Sequence, residues 1–312
     1  MKTMVIGAAG FVGSYLIEAI RKNLHSEVVA TKLPHETILT DHADIVDLNI
    51  LDEQQVKEVL EAEQPDYIFH LAAQSSVALS WKNPKLTVDI NIKGAINLLD
   101  RIRQLAHQPK VVVIGSGEEY GYIKEGMVPI REDNPLFPGN IYAITKACQN
   151  AMATIYSDAY GLDIVLVRAF NHVGPRQLPQ FVVADFCRQV VEIEKGMKEP
   201  VIRVGNLTAK RDFTDVRDVV NAYTLLMMYG RRGETYNVGS GHAVAIQDIL
   251  LEILKQTDRK IEIVVDPERL RPVDVPIIEA DTTKIFNDTG WKPTITIQET
   301  IADTLAYWRE TL

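Results

Sequence analysis

A glycine-rich turn between an apolar run and an amphipathic one constrains this chain more than any other feature. Gly7, Gly10 and Gly13 follow residues 2–6, which read KTMVI, and residues 11–23 carry apolar side chains at helical spacing. Gly7 permits a tight turn, Gly10 lets the backbone approach a pyrophosphate, and Gly13 lets helix and strand pack closely. A negative charge would face the helix N-terminus. The turn therefore predicts a dinucleotide site, and the alternative is a glycine-rich turn without a ligand.

The first half of the chain alternates short apolar runs with longer amphipathic ones. The short runs are rich in β-branched residues and predict buried strands, whereas the amphipathic runs predict helices. This order predicts an α/β fold, a Rossmann-type doubly wound parallel sheet with helices on both faces. The predicted strands are residues 2–6, 27–31, 67–71, 111–114 and 164–167, and the predicted helices are residues 11–23, 52–62, 85–106 and 141–160.

After Arg168 the pattern becomes less regular, and Gly, Pro and charged residues separate shorter elements. Residues 215–228, 245–256 and 297–309 predict helices, and residues 235–238 and 260–265 predict strands. We expect two units that the chain enters more than once. The dinucleotide-binding domain comprises residues 1–168 with about 215–242, and a smaller C-terminal α/β substrate lobe comprises about 169–214 with 243–312.

Composition excludes several classes of protein. With 33 basic and 42 acidic residues the net charge is −9, and 46% of residues are hydrophobic, which argues against disorder and against nucleic acid as a partner. No apolar run approaches the roughly 18 residues that span a bilayer, and the N-terminus does not resemble a signal peptide. Cys148 and Cys187 form no CxxC pattern, which favours a reduced, cytoplasmic location. The histidines lack metal-ligand spacing, so we expect no metal.

The end of the second predicted strand bears on the choice of cofactor. An acidic residue about 20 positions after the glycines would bind the ribose 2′-hydroxyl of NAD. Thr31 stands there instead, 18 residues after Gly13, and Lys32 adds a cation that would attract a 2′-phosphate. The pair favours NADP(H), with NAD(H) possible. The alternative is that Lys32 is a solvated lysine that binds no cofactor. Further candidates for cofactor binding are Phe11, Val12, Asp47, Leu48, Leu71, Ala72 and Ala73.

Tyr142 and Lys146 lie one helical turn apart on one face of a predicted helix. The preceding predicted strand is followed by Ser116 and Glu118, and catalytic groups of open α/β sheets gather outside the carboxyl ends of strands. Ser116 would donate a hydrogen bond to the same substrate oxygen that Tyr142 protonates. Lys146 and a nicotinamide cation would lower the pKa of Tyr142, and Lys146 would hold the nicotinamide ribose. Glu118 is either a general base or an orienting group.

These motifs resemble the extended short-chain dehydrogenase/reductases (SDRs), and the resemblance spans nearly the whole chain. Within that superfamily the chain is similar to the nucleotide-sugar-modifying branch, above all to reductases of GDP-linked 4-keto-6-deoxy sugars. Residues 168–177, 203–206, 211–218 and 269–276 carry this resemblance. It implies NADP(H)-dependent reduction of GDP-4-dehydro-6-deoxy-D-mannose to GDP-D-rhamnose, and a homodimer paired through two long helices.

The resemblance also implies substrate-binding residues. Asn171 would contact the sugar or the diphosphate, Arg211 and Arg271 the phosphates, and Asp274 the region of the nucleoside ribose. Arginine forks suit phosphate oxygens, although any single arginine could instead form a surface salt bridge. The remaining candidates for substrate binding are Arg176, Val204 and Asn206.

Other functions stay open at this point. A GDP-mannose 4,6-dehydratase or a nucleotide-sugar 4-epimerase would recycle its bound cofactor, and Glu118 could remove a carbon-bound proton in the dehydratase. Gly117 stands where related enzymes often carry a hydroxyl or an acid. A redox-sensing regulator that keeps the fold without catalysis would be expected to lose Tyr142 and Lys146, which this chain keeps.

Overall fold

Strands and helices alternate through the first half of the computed structural model, which describes residues 1–38, 40–123, 126–269 and 275–312. The strands in these ranges are β1 (Lys2–Ile6), β2 (Glu27–Lys32), β3 (Asp44–Asp47), β4 (Tyr67–His70), β5 (Lys110–Ser116), β6 (Ile164–Ala169), β7 (Asn171–Val173), β8 (Val201–Val204), β9 (Lys210–Asp215), β10 (Thr235–Val238), β11 (Ala243–Ala245), β12 (Glu262–Val265) and β13 (Ile277–Ile278).

The α-helices in the same ranges are α1 (Phe11–Leu24), α2 (Glu53–Glu63), α3 (Val77–Lys82), α4 (Pro84–Val88), α5 (Gly94–Ile102), α6 (Ile141–Tyr160), α7 (Val182–Glu194), α8 (Val216–Tyr229), α9 (Ile246–Leu254), α10 (Thr283–Thr289) and α11 (Ile297–Thr311). A π-helical turn, Asp89–Lys93, joins α4 to α5, and 3-10 turns lie at Gly117–Tyr120 and Pro267–Arg269. Many elements begin and end within one or two residues of the sequence-based boundaries.

Seven strands of the described chain form the largest sheet, all parallel, in the order β10-β6-β5-β4-β1-β2-β3. Strand β6 is buried along its whole length, as expected for a parallel strand covered on both faces. The strand order reverses between β1 and β4, and open α/β sheets bind ligands in the crevice outside the carboxyl ends at such a point. The predicted Rossmann-type fold class is confirmed.

Two apolar cores cover the opposite faces of this sheet. Val5 belongs to one core and its neighbour Met4 to the other, because successive side chains of a strand point to opposite faces. Ile17 of α1 and Tyr223 of α8 lie in the first core, and Leu60 of α2 lies in the second. Amphipathic helices therefore hold the sheet rigid from both sides.

The smaller sheets come from the second half of the chain. β9 pairs with β7, β11 and β13, and β8 pairs with β12. Phe186 of α7, Ile249 of α9 and Leu305 of α11 share a separate core beneath these strands. The predicted division into two units stays a prediction, with one qualification: Trp291, assigned to the second unit, packs in a core of the large sheet.

The helix predicted for residues 85–106 is present as a continuous helical segment from Pro84 to Ile102, but it contains the π-helical turn Asp89–Lys93 and ends four residues early. Asn91 in this turn is fully buried. Its side chain accepts from the backbone of Gln74 and donates to the hydroxyl of Thr145. An inward-facing polar side chain that bonds across to other elements favours a π bulge over regular helix.

Helix α7 is absent from the sequence-based prediction. Gly174, Pro175 and Pro179 precede it closely and make the whole region look irregular, although α7 has a strongly apolar inner face that includes Val183 and Phe186.

Within the ranges that the structure describes, no helix is long and apolar enough to cross a membrane.

Candidate active site

Ser116 and Tyr142 meet at the carboxyl end of the large sheet. Ser116 is the last residue of β5, and Tyr142 lies in the first turn of α6. That helix begins at Asn140, whose side chain accepts the backbone N–H of Ala143 and so fixes the entry of the chain. The Ser116 hydroxyl lies close enough to Tyr142 to lower the pKa of its phenol, and both residues line one large cavity. The structure thus brings together the predicted serine and tyrosine.

The environment of Tyr142 keeps its phenol protonated. Burial raises the pKa of Tyr142 well above its ordinary value, and the nearby carboxylates of Glu118 and Glu119 raise it further, while the Ser116 hydroxyl lowers it. The prediction that Lys146 lowers this pKa is wrong for the protein alone. The Lys146 ammonium instead donates to the backbone carbonyl of Ile114 at 2.8 Å.

Lys146 lies in the same cavity with its charge partly desolvated. Burial lowers its pKa to about 8, opposed by the carboxylate of Glu119. Besides Ile114, its ammonium donates to Oε1 of Gln149 at 3.1 Å. Lysine carries its charge below its pKa, so Lys146 stays largely cationic at neutral pH. Such a cation is placed to donate to a hydroxyl of a ligand lying across the end of β5.

The two adjacent glutamates after Ser116 have different environments. Glu118 lines the cavity, and its Oε2 accepts from Nδ2 of Asn140 at 3.2 Å. Glu119 is fully buried beneath the site and accepts from the Ser116 backbone, from Asn150 and from the guanidinium of Arg168. Sequence reasoning singled out Glu118 and missed Glu119.

Gly117 lies close to Phe170. A Cβ at this position would lie 3.2 Å from the ring of Phe170, which is itself buried. A side chain at position 117 would therefore require a small shift of Phe170.

The glycine turn has the geometry that a pyrophosphate requires. Gly7 has a φ of +84°, and a Cβ there would lie 2.6 Å from the Cα of Ala72. A Cβ at Gly13 would lie 1.9 Å from the carbonyl oxygen of Ala8. No side chain caps the N-terminus of α1 at Gly10, which leaves its backbone donors for an anion. These residues therefore fit a dinucleotide cofactor. The cavity is also lined by Phe11, Val12, Leu48, Leu71, Ala72 and Ala73.

Thr31 and Lys32 have different positions at the end of β2. Thr31 is buried, its hydroxyl accepts the N–H of Gly7 at 3.2 Å, and it does not line the cavity. Lys32 does line the cavity, and its ammonium lies 2.6 Å from Oδ1 of Asp47 on β3. Asp47 itself lies outside the lining and reaches the site only through Lys32.

The predicted substrate residues divide into three groups. Asn171, Asn206 and Arg211 line the cavity, and Nη1 of Arg211 donates to the carbonyl of Val275 at 2.7 Å. Val204 packs in the apolar core under the smaller sheets. Arg176 lies outside the cavity, near Ser14. The last two predicted residues, Arg271 and Asp274, lie outside the described residues.

A charged pair lines the cavity near Asn206 and was missed from the sequence. Asp185 lies in the first turn of α7, and its Oδ2 accepts from Nη1 of Arg269 and from Nε2 of Gln189. Burial raises the pKa of Asp185, and the bonds from Arg269 and Gln189 lower it. The only sequence signal was an acidic residue inside the run FVVAD.

Among the described residues, no group of three His, Cys, Asp or Glu is arranged to hold a metal.

This geometry can be compared with known proteins. The GDP-mannose 4,6 dehydratase family model matches residues 4–304. The chain belongs to this family of extended SDRs. It is 31% identical over 307 residues to GDP-6-deoxy-D-mannose reductase of Pseudomonas aeruginosa, covering 98% of this chain and 97% of that protein.

Solved structures agree with this assignment. RMD from Pseudomonas aeruginosa, complexed with NADPH, has a TM-score of 0.88 and 30% identity, covering 100% of this chain and 99% of that one. UDP-glucose 4-epimerase of Thermus thermophilus, in complex with NAD, has a TM-score of 0.88 and 28% identity, with full coverage of both chains. The predicted family and enzyme class are confirmed, as is the cofactor class, NAD(P)(H).

Proposed function

We propose that the protein is an NADP(H)-dependent reductase that converts the 4-keto group of GDP-4-dehydro-6-deoxy-D-mannose to the alcohol of GDP-D-rhamnose. The observation that carries this proposal is the position of Ser116 and Tyr142 together at the carboxyl end of β5, in the cavity that the glycine turn also lines. We assign Ser116, Tyr142 and Lys146 as the catalytic residues.

Reduction of a ketone needs a hydride at carbon and a proton at oxygen. A reduced nicotinamide cofactor, when bound, supplies the hydride. Tyr142 donates its phenolic proton to the oxygen that becomes the C4 hydroxyl, and Ser116 donates a hydrogen bond to the same oxygen. Lys146 holds a hydroxyl of the cofactor and adds positive charge where the oxygen becomes negative. This assignment accounts for each polar group that faces the end of β5.

Tyr142 can serve as the acid of a reduction. Burial and the carboxylates of Glu118 and Glu119 raise its pKa, so the phenol keeps its proton until the ketone oxygen accepts it. Reduction consumes this form in each turnover.

A 4,6-dehydratase is the second candidate, and Glu118 is the observation in its favour. Glu118 lines the cavity and could remove the proton at C5. Loss of water from C6 also needs an acid for the departing hydroxyl. The neighbouring Gly117 supplies none, so Glu118 would have to serve in both steps. We assign Glu118 an orienting role, because its carboxylate accepts from Asn140 at the start of α6.

Lys32 supports NADP(H) as the preferred cofactor. Its ammonium lies at the end of β2, where an NAD-specific enzyme would carry a carboxylate. The charge of Lys32 is partly neutralised by Asp47, so the preference is moderate and NADH is used more slowly. We also propose Asn171 and Arg211 as ligands of the sugar and the phosphates.

A homodimer is part of the proposal. The exposed apolar side chains of Ile96 on α5 and of Ile144 and Ile155 on α6 support pairing through these two helices. Analytical ultracentrifugation of the purified protein tests this part separately from the activity.

The test of the reaction compares two incubations. With GDP-4-dehydro-6-deoxy-D-mannose, the protein oxidises one NADPH per sugar reduced. With GDP-mannose and catalytic NADP⁺, it forms nothing, and a 4-keto-6-deoxy product there would replace the reductase by the dehydratase. UDP-glucose and NAD⁺ provide the control for epimerase activity.

A further inference from the structure

The cavity extends from Tyr142 along paired strands into the smaller sheets. Ser116 is paired in register with Ala169, and two residues later Asn171 is paired with Phe213 of β9. Arg211 lies two positions before Phe213 on the same strand, so both side chains point to one side. Arg211 and Phe213 both line the cavity.

Asp185 and Arg269 form another part of the cavity lining. Gly205 and Asn206 follow β8 and also line the cavity, and a Cβ at Gly205 would lie 2.7 Å from the carbonyl oxygen of Arg269. The backbone of the 3-10 turn therefore lies directly against Gly205. Asp185 faces it from α7 and forms an ion pair with the guanidinium of Arg269.

The two carboxylate oxygens of Asp185 differ in their hydrogen bonding. Its side chain is 17% exposed, and its Oδ2 accepts from both Gln189 and Arg269. Within the described ranges no hydrogen bond reaches Oδ1. A carboxylate oxygen has two lone pairs, and Asp185 lines the cavity, so Oδ1 can accept hydrogen bonds from a ligand bound there.

We propose that Asp185 recognises the base of the nucleotide and selects guanine. This inference rests on the proposed function for its direction: a sugar at Tyr142 and phosphates at Arg211 place the base at the far end. Oδ1 of Asp185 accepts the N1–H and the N2 amino group of guanine. Gln189 and Arg269 hold the carboxylate in position through Oδ2.

The hydrogen-bonding groups of the nucleobases make this contact selective for guanine. Guanine presents two neighbouring donors, N1–H and the N2 amine, to a carboxylate. Uracil presents a single N–H between two carbonyl oxygens, which a carboxylate repels. Adenine presents its amino group beside a ring acceptor. A site built to accept two N–H groups rejects a ligand without them, because its buried acceptor is left unpaired.

The test measures binding of free nucleoside diphosphates by calorimetry, with NADP⁺ present, and does not depend on turnover. The wild type is expected to bind GDP about 10-fold more tightly than inosine diphosphate, which lacks the N2 amine, and about 100-fold more tightly than UDP. Equal affinity for GDP and UDP would overturn the proposal.

Variants separate base recognition from the ion pair. Asp185→Asn, which offers a donor and an acceptor, is expected to weaken GDP binding about 10- to 100-fold and to bring the ratio of GDP to inosine diphosphate affinity near one. Arg269→Gln keeps the carboxylate but removes the ion pair that positions it, and is expected to weaken GDP binding less than Asp185→Asn does. Glu192→Gln is the matched control, since Glu192 lies on the same helix, pairs with Arg188 and lies outside the cavity lining.

The two proposals fail in different ways. If GDP binding is selective and depends on Asp185, but no 4-keto sugar is reduced, the reductase assignment falls and base recognition stands. If Asp185→Asn leaves the preference for GDP over inosine diphosphate unchanged, base recognition by Asp185 is wrong whatever the reaction.

Discussion

The backbone N–H of Ser116 donates a hydrogen bond of 2.8 Å to Oε1 of Glu119, and the Ser116 side chain lines the cavity together with Tyr142. The same carboxylate forms a buried ion pair with Arg168, whose Nε lies 3.1 Å from Oε2. Arg168 in turn donates to the hydroxyl of Tyr120 at 2.9 Å. The position of Ser116 therefore depends on a buried charged network that no substrate touches.

Loss of the charge in this network is expected to destabilise the protein. Glu119→Gln keeps the shape of the side chain but leaves the Arg168 guanidinium buried without its counterion, which costs about 3–5 kcal/mol of unfolding free energy. Urea unfolding measures it. The control is Asp133→Asn, which breaks an exposed pair with Arg131 and is expected to cost less than about 1 kcal/mol. Equal losses in the two variants would contradict this account of Glu119.

Tyr142→Phe removes the proton donor and little else. Turnover is expected to fall by roughly 10²–10⁴, the usual contribution of a positioned acid, while the dissociation constant of NADPH changes little. The control is Tyr156→Phe on the same helix, whose hydroxyl bonds to Asp100 outside the cavity lining. Near-normal turnover of the Tyr142 variant would end its assignment as the acid.

The pH dependence of activity is expected to report Lys146. Its pKa is lowered to about 8 by burial, so its charge is present below that pH and is lost as pH rises through it. The value of kcat/KM, which reports the free enzyme, is therefore expected to fall above pH about 8. Tyr142 does not contribute to this fall, because its pKa is raised. A profile that stays flat to pH about 10 would contradict the requirement for a charged Lys146.

Cofactor preference is expected to follow the ion pair of Lys32 and Asp47. Lys32→Ala removes the cation and is expected to raise KM for NADPH about 10-fold, the equivalent of one charge-assisted contact, with little effect on NADH. Asp47→Asn frees the same cation and is expected to lower KM for NADPH. Steady-state kinetics with both cofactors measure the ratio of KM for NADPH to KM for NADH. The control is Lys22→Ala, since Lys22 is exposed on α1. An unchanged ratio in both variants would exclude Lys32 from the 2′-phosphate site.

The sequence predicted those parts of the site that depend on local spacing. Tyr142 and Lys146 share a helix face because they are four residues apart, and Ser116 faces them because parallel strands end at one edge of the sheet. The glycine turn is partly local, since Gly13 lies against Ala8 at the start of the same helix, whereas Gly7 lies against Ala72 after β4, 65 residues away.

Parts of the site that depend on contacts between distant segments could not be read from the sequence. Glu118 and Glu119 are adjacent and identical in type, and only the 3-10 turn after β5 directs one to the cavity and the other into the core. Asp185 meets Arg269 across 84 residues. The sequence pattern favours Thr31 over Lys32 as the key cofactor residue, yet the twofold alternation of the strand directs Thr31 inward.

Transfer of deuterium tests the central claim most directly. The protein is incubated with GDP-4-dehydro-6-deoxy-D-mannose and NADPH that carries deuterium at the transferable position, and the product is examined by NMR. The account predicts one deuterium at C4 of GDP-D-rhamnose for each NADPH consumed, and none with Tyr142→Phe on the same time scale. A product without deuterium at C4, or one formed without loss of NADPH, would contradict it.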